Sequence, residues 1–263
     1  MGVLAVIGVI VGVISLAQGF KLSTGTTTPE KLPLNERIIQ GLPAADLQFP
    51  HHGYLLVTLE SGARQACGAS LIANRWALTA AHCVEGADFV EIYLGSNDIT
   101  ATPVRMTTSD IQLHPEFDLA LIGLPGSAII GATIKTVNIS RDPLETYEGQ
   151  LATASGYGYI ADGGPLSITL NYVSLRVISN AECASYYGSV IVPSTICTVG
   201  FDNPTQGVCS GDSGGPLVIG SEDDMTLIGV TSFVSSAGCS SDGPSGFVRP
   251  SHFVSWLHSI AGI

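Results

Sequence analysis

Charge is scarce in this 263-residue chain: Asp, Glu, Lys and Arg make up 12% of it, with 10 basic side chains against 22 acidic ones and a formal net charge of -12. From Ile38 to the C-terminus Lys135 is the single lysine, and the arginines are scattered. A nucleic-acid surface needs clustered Lys and Arg to neutralise phosphates, so that class is excluded. Charge runs are absent as well. With 45% hydrophobic residues, this excludes a disordered, self-solvating chain. No CxxC pair occurs, and His82 is the one histidine beside a cysteine, so the usual ligand spacing of a zinc site is missing and no metal is expected.

What remains is enough chain for one large β domain or two small ones, with a core that needs no metal to hold it. Residues Met1 to Ala17 carry no charged side chain and end in the small-x-small string Ala17-Gln18-Gly19, which reads as a secretory signal peptide over 1–19. A basic n-region is lacking, so an uncleaved membrane anchor is the alternative. Secretion makes disulfides the expected fate of Cys67, Cys83, Cys183, Cys197, Cys209 and Cys239. Their spacing allows fifteen pairings and selects none. Phe20 to Arg37 is polar, Thr-rich and without a periodic apolar face, a flexible leader ahead of Ile38.

From Ile38 onward, short strand-like runs alternate with Gly, Pro, Asn and Asp: Tyr54 to Leu59, Ala77 to Thr79, Phe89 to Leu94, Leu119 to Ile122, Val173 to Ile178, Pro216 to Ile219 and Leu227 to Phe233. The rhythm predicts an all-β barrel or sandwich. Ser179 with Glu182 predicts a capped short helix through Tyr186. Phe253, Trp256, Leu257 and Ile260 share one face of a predicted terminal helix.

The string Cys209-Ser210-Gly211-Asp212-Ser213-Gly214-Gly215-Pro216 sets three glycines around one Asp-Ser pair. Such a backbone can turn consecutive N-H groups toward one point beside a hydroxyl, as a serine nucleophile requires for the oxyanion it creates. A tight turn without chemistry is the competing account. A serine also needs a base and an orienting acid. Thr79-Ala80-Ala81-His82-Cys83 offers a histidine at the end of an apolar strand, held beside a cysteine. Phe117-Asp118-Leu119-Ala120-Leu121-Ile122 offers a carboxylate directly before a core strand, where a buried charge needs a partner. Taken singly, a packing histidine and a turn aspartate are the simpler explanations.

Taken together, these strings resemble the secreted serine proteases of the chymotrypsin and trypsin family. Arg37-Ile38-Ile39-Gln40-Gly41, Cys67 to Ile72, Thr79 to Cys83, Asp118 to Ile122, Gly156-Tyr157-Gly158 and Cys209 to Pro216 follow the family's order and span residues 37 to 263. The resemblance implies two six-stranded antiparallel β-barrels and a C-terminal helix. It makes Ser213 the nucleophile, His82 the general base and then acid, Asp118 the orienting carboxylate, and the Gly211 and Ser213 amides the oxyanion hole. It implies the disulfides Cys67 with Cys83, Cys183 with Cys197, and Cys209 with Cys239. It implies a zymogen with a propeptide over 20–37 and a protease domain over 38–263, in which cleavage after Arg37 by a trypsin-like protease frees the Ile38 amine to pair with Asp212.

For specificity, the resemblance puts Gly207 at the pocket floor where trypsin-like members carry Asp, which disfavours Lys and Arg substrates. Ser232, Phe233, Val234 and Ser245 form its walls, and Val234 in place of glycine shortens it, as in elastases. Small or medium aliphatic residues are therefore the expected preference, with a chymotrypsin-like or collagenolytic enzyme as the alternative and a non-catalytic binding homologue as the alternative of another class. The stretches Leu170 to Ile178 and Ser232 to Cys239 look like arthropod gut proteases, and a nearly lysine-free mature chain suits a lumen containing trypsin. Proteins and peptides are the expected partners, together with protein inhibitors; no nucleic acid, membrane contact after signal removal, or cofactor is expected. Ser96 stands where an acidic calcium ligand would be, so no calcium is expected. Tyr157 replaces the family's tryptophan, the loop before Asp118 is short, and Asn138-Ile139-Ser140 is a glycosylation sequon.

Overall fold

Short runs of mostly apolar residues in this chain are buried at consecutive positions, and the elements that result are almost all strands. A computed structural model describes residues 38–101, 103–221 and 224–263. The signal over 1–19, the leader over 20–37 and Arg37 lie outside the described residues. After β1 (Leu42–Pro43), seven strands form the first sheet: β2 (His52–Leu59), β3 (Arg64–Ala73), β4 (Trp76–Thr79), β5 (Ala87–Leu94), β6 (Val104–Thr108), β7 (Ile111–Leu113) and β8 (Ala120–Gly123). Their order is β6-β5-β2-β3-β4-β8-β7. The second sheet contains β1, β9 (Asn138–Ile139), β10 (Leu151–Gly156), β11 (Asn171–Ile178), β12 (Thr195–Gly200), β13 (Pro216–Ile219), β14 (Thr226–Phe233) and β15 (Ser245–Val248).

The second sheet runs β11-β10-β13-β14-β15-β12, and a β11–β12 pairing closes these six strands into a ring. Two-residue β1 and β9 sit outside the ring, and β9 pairs with β14 in parallel, a departure from the all-antiparallel expectation. The first sheet has seven strands where six were expected, because a break at 109–110 separates β6 from β7. Asp110 fills that break, its side chain lying where a Cβ on Gly123 would fall. Strands β3, β6, β7, β10, β12 and β15 were not among the predicted runs. Arg64–Ala73 is rich in small residues, and Val104–Thr108 is a mostly exposed edge, so neither shows clean alternation.

Both predicted helices form. Ser179 accepts the Glu182 amide at 3.0 Å and caps α2 (Asn180–Tyr187), the second helix after the single turn α1 (Ala81–Val84). The terminal helix α3 (Val254–Ala261) buries Leu257, while Phe253 lies one turn earlier in a 3-10 segment because Pro250 opens the turn there. Leu119 to Ile122 are wholly buried, and they join Leu55, Leu71, Leu78 and Ile92 in the larger core, against which α3 also packs. A smaller core inside the second ring holds Ile38, Ala154, Leu175, Val177, Ile196 and Phe247.

Leu121 is fully buried in the strand that follows Asp118. Leu121→Ala is expected to cost about 2–5 kcal/mol, which lowers the melting temperature by roughly 5–15 °C for a domain of this size. A calorimetric shift under 2 °C would show that β8 does not carry the core.

Candidate active site

Loops from the two sheets meet along a seam where the side chains are kept small. The Gly68 amide of β3 donates to the Ser213 carbonyl at 2.7 Å, and the Thr79 hydroxyl of β4 donates to the Gly68 carbonyl at 2.8 Å. Gly214 has φ +76°, and a Cβ there would lie 2.1 Å from the Thr79 Oγ1, so only glycine fits. Disulfides join Cys67 to Cys83, Cys183 to Cys197 and Cys209 to Cys239, the three pairs the resemblance implies. The first fixes α1, and with it His82, against β3. The third fixes the 209–216 loop to the 235–242 turn.

His82 and Asp118 meet at one end of an antiparallel strand pair, His82 following β4 and Asp118 preceding β8 where Thr79 faces Ala120. The His82 Nδ1 lies 2.9 Å from Asp118 Oδ2 and 3.0 Å from Oδ1, and the His82 amide donates to Oδ1 at 2.9 Å. With Nδ1 donating, the imidazole keeps its lone pair on Nε2. Ser232 of β14 donates its hydroxyl to Asp118 Oδ2 at 2.5 Å, so the second sheet contributes directly to the acid. Ser232 was expected only as a pocket wall, and nothing in its local sequence marks it as a partner of Asp118. Burial of Asp118 opposes its charged form, but the His82 ring, the Ser232 hydroxyl and the His82 amide outweigh it and hold the carboxyl below the usual range. A depressed carboxyl stabilises the fold above its ordinary pKa, and that contribution is lost as pH falls through the depressed value.

The remaining histidines are differently placed. Burial pushes His51 down to about 4, and burial with the neighbouring His51 pushes His52 to about 3, so both are neutral at physiological pH. The His52 Nδ1 is engaged with the Ser155 hydroxyl at 2.9 Å, and the His114 Nδ1 accepts the Glu116 and Phe117 amides at 3.2 Å each. Only His82, among the described residues, has a carboxylate at its ring.

Ser213 sits across the seam, partly exposed, and lines a cavity of about 70 Å³ with Cys209, Ser210, Thr231, Ser232, Phe233 and Val234. Among the described residues no hydrogen bond joins Ser213 to His82, whose Nε2 lies 3.9 Å from Cys83 Sγ. Such contacts in unliganded sites are commonly long and tighten with substrate bound. The Asp212 amide is tied to the Cys209 carbonyl at 3.0 Å, whereas the amides on either side of it, of Gly211 and Ser213, have no acceptor among the described residues. Asp212 itself is fully buried, its carboxylate accepting the Gly158 amide at 2.7 Å and the Cys209 amide at 2.8 Å. Burial raises its carboxyl to about 7 in spite of these two bonds.

Gly207 and Ser245 lie together but apart from that cavity's lining: a Cβ on Gly207 would be 3.2 Å from the Ser245 Oγ and 4.0 Å from the Cys239 carbonyl oxygen. Phe233 turns its ring onto Gly246 and meets Tyr187 edge-on at 5.2 Å. Asp162, Cys209 and Cys239 approach one another closely, but both sulfurs are spent in their disulfide and no metal ligand set results. The Tyr157 hydroxyl donates to the Ser96 carbonyl at 2.8 Å and bridges the sheets.

A family model described as Trypsin matches residues 38–257. The chain is 38% identical over 260 residues to a collagenase of Hypoderma lineatum, covering 93% of this chain and 97% of that protein. It is 33% identical over 237 residues to brachyurin of Leptuca pugilator, covering 86% and 99%, and 29% identical to chymotrypsin-like elastase family member 1 of Bos taurus, covering 89% and 93%. A solved structure of HL collagenase superposes with a TM-score of 0.78 at 36% identity, covering 86% of this chain and 99% of that one.

Ser232→Ala removes one of the bonds that keep Asp118 ionised. We expect kcat to fall about fivefold with KM little changed, and the acid limb of the kcat profile to move to higher pH. Steady-state rates across pH check this; a profile that superposes on the wild type would deny Ser232 any part in orienting the acid.

Proposed function

The chain belongs to the trypsin family of serine endopeptidases, and on that premise we propose that it hydrolyses peptide bonds through Ser213, His82 and Asp118 after release as a secreted zymogen. The observation that carries this reading is the His82 ring held by the Asp118 carboxylate beside a cavity that Ser213 lines. Ser213 Oγ attacks the scissile carbonyl while His82 Nε2 takes its proton, and Asp118 stabilises the resulting imidazolium. The carbonyl oxygen, now an anion, accepts the free amides of Gly211 and Ser213. His82 then gives its proton to the leaving amine, and a water activated by the same imidazole releases the acyl group from Ser213.

Small or medium aliphatic side chains fit the pocket best. A cavity of about 70 Å³ is roughly half the size that accommodates a benzene ring, and Val234 stands in its wall. Gly207 and Ser245 place no charge nearby to meet Lys or Arg. A broader, collagenolytic preference is the second reading, favoured by the similarity to the Hypoderma collagenase. Digestive secretion, protein inhibitors as partners and glycosylation of the exposed Asn138 belong to the same proposal.

The first test is a cleavage profile on a mixed peptide library with the Ser213→Ala variant as control. Cuts after Ala, Val or Leu that vanish in the control are expected. Cuts after Phe and Tyr would transfer the enzyme to the chymotrypsin-like class, and an unlabelled Ser213 after treatment with a serine-directed phosphonate would make it a silent homologue.

Activation after Arg37 has its own support. Ile38 is fully buried in the second core and has φ +41°, a conformation a β-branched residue adopts only under strain. Cutting the Arg37–Ile38 bond removes that torsion and leaves an amine to offset the Asp212 charge. While Asp212 lacks a cation, its raised carboxyl makes the fold progressively less stable as pH rises from the ordinary aspartate value toward about 7. Once the amine pairs with it, the amine's pKa is raised; that contribution is full below its unfolded value of about 8 and is lost as pH climbs through the folded one. Among the described residues, Arg64, Arg105 and Arg176 lie in strands, Arg249 is buried and Arg141 precedes Asp142-Pro143, which leaves Arg75 and Lys135 as the exposed basic residues outside strands. Brief trypsin treatment is expected to yield a product beginning at Ile38, active at neutral pH and fading in strong alkali. Absence of a product beginning at Ile38, or full activity after acetylation of the new amine, would refute this activation route.

A further inference from the structure

Between β10 and β11 the chain makes an excursion over 157–167 that folds back on itself, with Gly164 N-H on the Ala161 carbonyl at 2.9 Å and a bridge between Tyr159 and Leu166. Its base is fastened to the 209–216 loop. The Gly158 amide reaches Asp212, the Tyr159 amide donates to the Ser210 carbonyl at 2.9 Å, and the Leu166 Cδ2 stands 2.5 Å from where a Cβ on Gly211 would be. Gly211 has φ +94°, so its α-carbon is bare and Leu166 covers it.

The tip of the excursion carries Asp162. Its Oδ1 accepts the Cys239 amide at 2.8 Å, 77 positions along the chain, and its Oδ2 accepts the Ser240 amide at 3.2 Å. It presses so close to Gly238, at φ +111°, that a Cβ there would lie 2.8 Å from Oδ2. Asp162 is exposed and forms no ion pair among the described residues. Its two oxygens serve instead as paired acceptors, which a carboxylate provides and a hydroxyl does not. Cys239 is bonded through sulfur to Cys209, whose amide holds Asp212. Excursion, turn, disulfide and 209–216 loop thus make a ring that Asp162 closes.

We propose that Asp162 is a positioning residue: by clamping the 157–167 excursion to the 238–240 turn, it keeps Leu166 on Gly211 and the Gly211 and Ser213 amides aimed at the oxyanion. This rests on the assignment of those amides given above. With the clamp released, the Gly211 peptide is freer to rotate its N-H away from the reacting oxygen. An oxyanion donor acts on the transition state more than on bound substrate, so the loss falls on kcat.

The experiment compares activated wild type, Asp162→Ala and Asp162→Asn, with rates expressed per active site titrated by a serine-directed phosphonate. Misfolded material then drops out of the comparison. Asp162→Ala is expected to lower kcat about tenfold with KM changed less than about twofold, and Asp162→Asn, which keeps one acceptor oxygen, to recover part of that loss. Should Asp162→Ala yield no titratable sites, the Asp162→Asn comparison decides alone. An unchanged kcat, or a loss confined to KM, overturns the clamp. Failure of wild type itself to react with the phosphonate overturns instead the assignment of Ser213 and leaves its own distinct signature.

Discussion

A carboxylate buried from solvent with no cation beside it among the described residues is the costliest kind of group in this fold, and Asp212 is such a group. Among the described residues, two amide bonds, from Gly158 and Cys209, offset its desolvation. Both donors must approach closely, and the positions around the carboxylate are correspondingly bare: a Cβ on Gly158 would lie 2.5 Å from its Cγ, and one on Gly156 would lie 2.1 Å from Oδ1. The conformation of the 209–216 loop therefore follows from where Asp212 is placed. The free amides of Gly211 and Ser213 follow as well, because they flank a residue whose side chain and amide are both already fixed.

The second constraint is the seam. Ser213 belongs to a loop of the second sheet, whereas His82 and Asp118 belong to the first, so the proposed catalysis depends on how accurately two independently built sheets meet. Gly68 and Gly214 set that meeting by close backbone approach, with the Thr79 hydroxyl packed against them, which leaves little room for rotation. Ser232 crosses it in the other direction, from β14 to the Asp118 carboxylate. The acid is thus held by both sheets, and a shift of either one would be felt in the orientation of the imidazole.

Much of this was legible in the sequence, for reasons that differ from residue to residue. Core strands such as Leu119 to Ile122 and Pro216 to Ile219 announce themselves because burial demands unbroken apolar runs. The Ser213 string was visible because a loop that bends around a buried Asp must be rich in glycine. The α2 cap was visible because Ser179 and Glu182 have the spacing of one helical turn. Edge strands such as Val104–Thr108 gave no such signal, since solvent tolerates any side chain there. Contacts between distant loops were also hidden: Ser232 on Asp118, the Tyr157 hydroxyl on Ser96, and Asp162 on the Cys239 and Ser240 amides join residues 61 to 114 positions apart. A serine or aspartate in a loop looks the same whether its partner is water or a remote amide. The disulfide pairs were named only by resemblance, since spacing alone selects none of them.

The two halves of the site also differ in what they require before they can work. The His82 and Asp118 arrangement is complete in this structure: its hydrogen bonds are formed, and its carboxyl lies below the usual range, as a charged acceptor should. Asp212, by contrast, is held up near neutrality, so in the same chain a substantial fraction of it is protonated at pH 7. A protonated Asp212 is a weaker acceptor for the Gly158 and Cys209 amides, and these are the bonds that shape the loop proposed to hold the oxyanion. On the proposed activation route, the charge that makes those bonds strong arrives with the Ile38 amine. The precursor is then restrained by the oxyanion side of the site while its acid and base stand ready, and one new cation is enough to separate the two states.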